Sequence, residues 1–577
     1  MTYGAAVSDV SGDGHLDIIV ASFSSSNIVL SYDNKSRALK NIAVTGTPFE
    51  ALMDSEGRAV GVAACDIDGD GREEIYILNS NADINWREKH SDKVFKYVEN
   101  RYVDLLSDSV NAWIQEVTYM GHSVTCIDRQ GKGRYAFAVM TSSQSGDERF
   151  LLLEMDTSHP ANNITSGPIV LKDVAKEAGL DIVTGGRGFA IGPILGTDGR
   201  SDIFVNINGE RNEIGENKLF MNIGGGKFRN VARQLGLTDR HQKGRDVALG
   251  DINQDGLVDI IAGNWLGPQR LFIQQISSYS KNVKFIDMAH LNMRQGSALC
   301  SIALADFNND GYTEIMFNNV MHHGAQPNRL FTVNTTKLST GHDFEITEVS
   351  IGDALEPRAY STGSLVTDID MDGVLDLLIT HGESSGQTIT LYSTASAIET
   401  MTNFTFQRSH IARNKTFVTN LTRNILRNKS LSISRFENYW VRIIPKTRYA
   451  APARGSKVTL VLAGGEMMTQ IIDGGSGYRG RIEPVAHFGI GRNPNVLLLE
   501  VQWPDGKIYQ REMGVGDLNS VLEIRWSHLY KYKSIFENKH VDKQLRRRSR
   551  SACVYPSNVF VILLCCLCIV LWCSQFV

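Results

Sequence analysis

Residues 62–78, VAACDIDGDGREEIYIL, contain the pattern that decides the fold. An apolar run enters the loop DIDGDG at 66–71, and a second apolar run begins at Glu74, three residues after the final glycine. Four further segments repeat the pattern, at residues 5–21, 247–263, 302–318 and 364–380. A single match would be weak, because Asp and Gly also form ordinary turns. Five matches, each between two apolar runs, indicate a repeated strand–loop–strand unit.

Two degenerate copies, at residues 125–139 and 191–205, fill the long gap between the second and third matches. The seven loop glycines are then 55 to 66 residues apart: Gly14, Gly71, Gly133, Gly199, Gly256, Gly311 and Gly373. Each unit has room for four strands, whereas an open β-solenoid has much shorter repeats. The predicted fold is all-β: a seven-bladed β-propeller, then a small β-sandwich domain and a C-terminal hydrophobic helix.

The loops supply the chemistry, because a tight turn at the glycine lets alternating carboxylates converge. A hard cation with six to eight oxygen ligands suits such a set, and we predict about five Ca²⁺ sites. The alternative is that the loops are turns only. The predicted ligands are Asp9, Ser11, Asp13, Asp17; Asp66, Asp68, Asp70, Glu74; Asp251, Asn253, Asp255, Asp259; Asp306, Asn308, Asp310, Glu314; and Asp368, Asp370, Asp372, Asp376.

The two degenerate copies are predicted to bind no metal. In the third unit Lys132 stands at a ligand position and would supply a positive charge internally. In the fourth unit Ile194 and Gly196 replace two ligands.

These repeats resemble the FG-GAP, or VCBS, repeats of integrin-α-type propellers. The stretches ARGSKVTLVL (453–462), IIDGGSGYRGRIEPVAHFGIG (471–491) and VQWPDGK (501–507) resemble the ASPIC/UnbV domain. Propeller and small domain together resemble the cartilage acidic protein 1 family over nearly all of residues 1–526. That resemblance implies an extracellular calcium-binding matrix protein. It also implies a signal peptide and an outer strand before Met1, so that the first blade would be incomplete here, and a C-terminal EGF-like module that is missing.

The predicted organisation has five parts. They are the propeller (1–395), a glycosylated insertion (396–436), the ASPIC/UnbV-like domain (437–526), a basic linker (527–558) and a hydrophobic membrane-anchor segment (559–577). Residues 559–573 are fifteen consecutive apolar residues, close to the length that a spanning helix needs. A single-pass span and a removable lipid-anchor signal both remain open.

Seven N-x-S/T sequons are candidate glycosylation sites. They are Asn34, Asn163, Asn334, Asn403, Asn414, Asn420 and Asn428. Four of them fall within 26 residues of the predicted insertion, which favours an exposed, sugar-coated segment.

The charge distribution argues against one class of partner, and the cysteines of residues 1–526 and His487 show no catalytic or zinc-binding motif. The net charge is −4, but residues 527–550 carry eight Lys/Arg against two Asp/Glu, which leaves −10 for the first 526 residues. An acidic body argues against a nucleic-acid partner. Five of the eight cysteines lie in the tail, and the other three, Cys65, Cys126 and Cys300, are expected to be mostly buried small hydrophobes. Their spacing gives no disulfide framework, so their disulfide state stays open at this point. His487 has no motif partner and is interpreted as structural.

The predicted function is an extracellular or cell-surface, non-enzymatic adhesion or matrix-interaction protein, anchored to the membrane through its C-terminal segment. Its partner would be an extracellular-matrix or cell-surface protein, or a glycan. The alternative is a propeller-type carbohydrate-active enzyme or a lectin. No nucleophile-elbow, zinc-protease or phosphate-loop motif occurs in the chain.

Overall fold

The structure is a computed structural model and it describes most of the first 527 residues. The described ranges are 1–23, 25–80, 90–115, 120–142, 150–159, 169–180, 186–196, 198–209, 215–277, 282–338, 341–382, 389–396, 404–409, 438–473, 482–493 and 495–527. Residues Met1–Trp526 form one compact unit. The predicted basic linker and hydrophobic helix therefore lie outside the described residues. Within these ranges no helix is long and apolar enough to cross a membrane.

Seven four-stranded antiparallel sheets occupy residues 2–409, and each is built from four consecutive strands. The first is β1–β4 (Thr2–Ser8, Asp17–Ser22, Ile28–Asp33, Ala38–Asn41) and the second β5–β8 (Ala59–Cys65, Glu74–Asn79, Lys93–Val98, Arg101–Asp104). The third is β9–β12 (Met120–Ile127, Ala136–Ser142, Phe150–Met155, Leu171–Asp173) and the fourth β13–β16 (Gly186–Gly192, Asp202–Ile207, Lys218–Gly224, Lys227–Asn230). The fifth is β17–β20 (Gly244–Gly250, Asp259–Asn264, Arg270–Ile276, Val283–Asp287). The sixth is β21–β24 (Leu299–Ala305, Glu314–Asn319, Arg329–Leu338, Gly341–Val349) and the seventh β25–β28 (Ser361–Thr367, Asp376–His381, Ile389–Ser396, Phe404–Ser409).

Helices are short and lie between the strands. Among the described residues they are α1 (Ala112–Gln115), α2 (Ala175–Ala178), α3 (Ala232–Leu235) and α4 (Leu291–Arg294), with 3₁₀ turns at Glu50–Met53, Leu105–Ser107, Ser109–Asn111, Asp353–Leu355 and Val515–Asp517.

The sheets follow one another in a closed ring. The first strand of each sheet contacts the first strand of the next, from β1 through β5, β9, β13, β17 and β21 to β25, which returns to β1. Seven apolar clusters each combine residues of two consecutive sheets. One of them joins Val7 of the first sheet to Leu365 of the seventh. This arrangement is consistent with a β-propeller, so the all-β prediction is confirmed.

The first and the seventh sheet bear on two predictions from the sequence. The first sheet has four strands within Thr2–Asn41, and a further strand before Met1 stays a prediction. The seventh sheet continues to β28 (Phe404–Ser409), so it runs past the predicted boundary at residue 395. That strand is polar enough, FTFQRS, to read as a linker in the sequence.

Cys65 and Cys126 form a disulfide, with their Cα atoms 6.2 Å apart. All three body cysteines are buried, as expected, and the structure supplies the pairing that the sequence had left open. They lie 61 residues apart, about one repeat, on the neighbouring first strands β5 and β9. The bond thus ties the second sheet to the third, while Cys300 is buried as a thiol.

Residues 438–526, here called the small domain, contain two further sheets. One has the order β32-β29-β35 and the other β31-β30-β33-β34. Their strands are β29 (Tyr439–Lys446), β30 (Lys457–Leu462), β31 (Met467–Ile471), β32 (Ala486–Gly491), β33 (Val496–Gln502), β34 (Ile508–Glu512) and β35 (Ser520–Arg525). Trp503 is buried, and its indole N–H donates to the Lys446 carbonyl at 2.9 Å.

Candidate metal centre: acidic loops beneath the small domain

The acidic loops connect the first and second strands of each sheet, and we number them by sheet. They are loop one (9–17), loop two (66–74), loop three (128–136), loop four (194–202), loop five (251–259), loop six (306–314) and loop seven (368–376). Strand register fixes the length of loops one, two, five, six and seven, because the residue before each of these loops pairs with its last acidic residue. Examples are Cys65 with Glu74 and Thr367 with Asp376.

The first aspartate of each acidic loop organises the backbone around it. Asp306 accepts the N–H of Asp310 at 3.1 Å and that of Gly311 at 2.8 Å. Asp251 and Asp368 make the equivalent pairs of bonds in loops five and seven. Gly311 has φ 97°, in the left-handed region that only glycine enters without strain. The turn geometry that these loops share thus comes from the aspartate and the glycine together.

The last acidic residue holds the loop from the other side. Asp259 accepts the Ile252 N–H at 2.9 Å, and Glu314 accepts the Phe307 N–H at 3.0 Å. Both carboxylates are buried at the start of their second strands. Each carboxylate offers about four lone-pair positions, so these bonds leave acceptor capacity for a cation.

Carboxylate oxygens converge in two of the loops. One oxygen each of Asp368, Asp370 and Asp372 lie within 4.8 Å of one another in loop seven. Asp66, Asp68 and Glu74 meet in the same way in loop two.

Loops five and six contain asparagine at the second ligand position. The side-chain amides of Asn253 and Asn308 donate to Asp255 and Asp310, both at 2.9 Å. Asn253 Oδ1 is buried without a hydrogen-bond partner. Rotating this amide by half a turn would present the oxygen beside Asp255, an arrangement that is favourable only around a cation.

Burial makes these carboxyl groups difficult to ionise without a counter-charge. Burial and the neighbouring Asp255 raise the pKa of Asp251 well above its ordinary value. Burial, followed by Asp306 and Asp310, does the same to the pKa of Glu314. The pKa of Asp368 is raised to about 7, mainly by burial. A bound divalent cation would reverse these shifts, so the donor set fits calcium.

Loop one is the most exposed of the five. Asp9 accepts the N–H groups of Gly12 and Gly14 at 2.7 and 3.0 Å. Asp13 is exposed, whereas Asp17 is buried and accepts the Ser11 N–H at 2.8 Å. Burial raises the pKa of Asp17 to about 6.

Loop two differs because it already contains a cation. Lys96 Nζ lies 2.7 Å from Asp68 Oδ2 and 3.1 Å from Glu74 Oε1, and it also bonds to Asp70. Lys96 lies outside the loop pattern of the sequence and was not among the predicted residues. Strand register is the signal that would have found it: Ile75 pairs with Phe95, which places Lys96 opposite Glu74.

The degenerate loops place arginine beside acid. In loop three Arg129 forms a two-point bond with Glu154, with both distances 2.8 Å. Lys132 donates only its backbone N–H to Asp128 in the described contacts, so the ion pair here involves Arg129 rather than the expected Lys132. In loop four Arg200 pairs with Asp198. The absence of metal from both loops stays a prediction.

The small domain lies on the acidic loops and contacts six of them. The contacts are Tyr449 at Gly71, Arg448 at Gly131, Trp503 at Gly199, Lys457 at Gly256, Asn438 at Asn308 and Arg442 at Asp368. Nothing in the sequence patterns indicated this contact, because it joins residues more than 70 positions apart.

Two buried arginines of the small domain reach into the ring. Arg454 bonds to Glu73 at 2.7 and 3.2 Å, to the Val7 carbonyl at 3.0 Å and to Asp473 at 2.9 Å. Arg442 pairs with Asp368 at 2.9 Å and Glu483 at 2.6 Å.

His487 fits its interpretation as structural. It is buried, and its Nε2 lies 2.7 Å from Asn309 Oδ1. Burial, with a smaller contribution from the charge of Arg442, lowers the pKa of His487 well below its ordinary value.

Two of the predicted glycosylation sites lie in the described ranges. Asn34 is exposed in a turn and Asn334 is exposed on β23. Asn163, Asn403, Asn414, Asn420 and Asn428 lie outside the described residues.

Comparison with known proteins places the chain in a family. An FG-GAP-like repeat profile matches residues 9–77 and 197–262, and an ASPIC and UnbV profile matches residues 446–518. Cartilage acidic protein 1 of Homo sapiens is 42% identical over 527 residues, which is 91% of this chain and 72% of that protein. This chain belongs to the cartilage acidic protein 1 family. The relatives from Xenopus tropicalis and Mus musculus are each 41% identical, over 92% and 91% of this chain and 74% of theirs.

A solved exo-β-1,3-galactanase from Phanerochaete chrysosporium, determined with galactose, covers 86% of this cartilage acidic protein 1 relative and 94% of its own chain. Its sequence identity is 9% and its TM-score 0.24, and we draw nothing from it.

Proposed function

We propose that this protein is an extracellular, non-enzymatic adhesion or matrix-interaction protein whose seven sheets are the blades of a seven-bladed propeller. Calcium in the acidic loops would stabilise the seat of the small domain, which is the set of acidic loops that this domain contacts. The membership in the cartilage acidic protein 1 family supports this compartment. The Cys65–Cys126 disulfide supports it independently, because such bonds persist mainly in oxidising environments.

The buried, like-charged carboxylates of loops five to seven carry the calcium part of the proposal. Asp251, Asp306 and Asp376 each have a pKa raised well above the ordinary value by burial and by neighbouring carboxylates. Calcium takes six to eight oxygens, and each loop supplies four side-chain ligands. Because the same loops contact the small domain, a bound ion would fix both bodies in place.

The test is the melting temperature of the purified protein in calcium and in chelator. Extracellular modules bind calcium at about 10⁻⁴–10⁻³ M. At ~1 mM calcium, binding only to the folded state then adds roughly 0.4–1.4 kcal/mol per site. We expect a rise of several degrees with calcium and a smaller rise in Asp255→Asn. The exposed Asp33→Asn is the matched control and should keep the full effect. Equal melting in calcium and chelator would contradict the proposal.

A lectin is the second candidate. It is favoured by the surroundings of Trp265, which lies at the end of the strands away from the acidic loops. Trp265 follows β18, whose other end meets loop five. The Arg245 guanidinium lies over its ring at 4.4 Å and the His322 ring meets it edge-on at 5.1 Å, a setting that suits a sugar with acidic groups. Trp265→Ala should then abolish retention on an immobilised sulfated glycan, with the exposed Trp113→Ala as control. Unchanged retention would remove this candidate.

Attachment to the membrane through residues 559–577 is part of the same proposal. Phospholipase release of the protein from cells would indicate a lipid anchor, and retention after phospholipase treatment would indicate a span. Recovery in the medium without any treatment would contradict both.

A further inference from the structure

We propose that the second acidic loop is filled by the ammonium group of Lys96 and does not bind calcium. The proposal rests on the calcium binding proposed above and changes the expected number of ions from five to four. It also makes one part of the seat for the small domain independent of calcium.

The position of Lys96 Nζ is that of a coordinated ion. It bonds to three of the four predicted ligands of the loop, Asp68, Asp70 and Glu74. The fourth, Asp66, accepts the N–H groups of Gly69 and Gly71 at 2.6 and 3.0 Å. Calcium prefers oxygens at about 2.3–2.6 Å, so both cations would need the same place.

Strand register makes the feature specific to the second sheet. The residue opposite the last acid of the loop, on the third strand, is Lys96 in sheet two. In the other sheets with a complete acidic loop it is uncharged, namely Ser31, Ile273, Thr332 and Ser393. None of these side chains can deliver a positive charge to its loop.

Loop seven provides the informative contrast. It also has four acidic residues and a nearby cation, Arg442. In the described contacts, however, the guanidinium bonds to Asp368 alone among the loop ligands, at its Oδ2. Asp370 and Asp372 still converge with Asp368 within 4.8 Å. Arg442 thus meets one ligand of its loop, whereas the ammonium group of Lys96 bonds to three ligands of loop two at once.

The consequence concerns the surroundings of loop two. Cys65 of the disulfide directly precedes it, and Glu73 within it holds Arg454 of the small domain. A covalent bond, a tethered cation and a buried ion pair therefore meet at one point. This corner of the seat should remain ordered when calcium is removed.

The experiment counts bound calcium on the purified full chain by native mass spectrometry at saturating calcium. We expect four ions on the wild type and five on Lys96→Met, because removing the ammonium frees the three carboxylates. Lys93→Met is the matched control: it lies on the same strand and pairs at 3.0 Å with Asp104, outside the loop, so it should keep four. Circular dichroism of each variant verifies that it is folded, and Lys96→Gln repeats the test with a polar side chain.

The outcomes separate the two proposals. Equal counts of one or more ions for wild type and both Lys96 variants would overturn the role of Lys96. A count of zero for every protein would instead overturn the calcium function itself. A gain of one ion in the Lys96 variants alone would support both.

Discussion

Arg454 is a buried side chain that links the small domain to the first two sheets of the ring. It is 3% exposed and bonds to Glu73, Asp473 and the Val7 carbonyl. Removing one partner of a buried pair leaves an uncompensated charge, which costs about 3–5 kcal/mol.

We therefore expect Arg454→Met to lower the free energy of unfolding by about that amount, measured by denaturant titration. Arg448→Met is the control, because this arginine is partly exposed and lies 3.5 Å from Asp505, and it should change stability by less than about 1 kcal/mol. Adding Glu73→Gln to Arg454→Met should recover part of the loss. No recovery would show that the arginine acts through packing rather than charge.

Two loop glycines separate backbone strain from contact with the small domain. Gly14 and Gly373 have nearly the same φ, 88° and 84°. A Cβ at Gly14 would meet nothing within 4 Å, whereas one at Gly373 would lie 1.9 Å from Cε2 of Trp440. Gly14→Ala should cost about 1 kcal/mol, from φ alone, and Gly373→Ala clearly more. Equal melting temperatures for the two variants would contradict the contact.

Among the elements, the disulfide between β5 and β9 makes the sharpest prediction. It closes a loop of 61 residues, which by chain entropy corresponds to about 4 kcal/mol. The double variant Cys65→Ser/Cys126→Ser should lose about 2–4 kcal/mol of unfolding free energy. Cys300→Ala serves as control, because Cys300 is not part of the disulfide. Reductant should lower the stability of this variant by the same amount as that of the wild type. A double variant as stable as the wild type would contradict the bond.

The sequence patterns predicted the features that depend on neighbouring residues in the chain, namely the loops and the strands beside them. The loop DIDGDG indicated a strand on each side, and β5 and β6 end and begin where the pattern places them. Lys96 was missed because its role depends on which residue stands opposite Glu74 across two strands. The Cys65–Cys126 pair was missed for the same reason: the spacing of one repeat becomes meaningful only once neighbouring repeats are known to be adjacent. Arg442 and Arg454 depend on packing between distant segments, which no periodicity reports.

For the molecule as a whole, the loops and the small domain should respond to calcium together. Loops five, six and seven touch Lys457, Asn438 and Arg442. We expect chelation to speed amide hydrogen exchange in these loops and in β29, and much less around loop two, where Lys96 remains. Exchange that rises evenly over residues 1–526 would contradict this order.

Among the described strands of residues 2–409, no sheet combines a strand from the N-terminal end of the ring with one from its C-terminal end. The first and seventh sheets instead meet through side chains and a few bonds, such as Thr362 to the Thr2 carbonyl at 2.8 Å. A tensile load should therefore part the molecule here before it unravels any sheet. The small domain contacts both the first and the seventh sheet, Val7 through Arg454 and Asp368 through Arg442. We therefore expect these contacts to determine the force at which the two sheets separate. Optical-tweezer pulling of Arg454→Met should show the earliest rupture at a lower force than in the wild type, and an unchanged force would locate the weak point elsewhere.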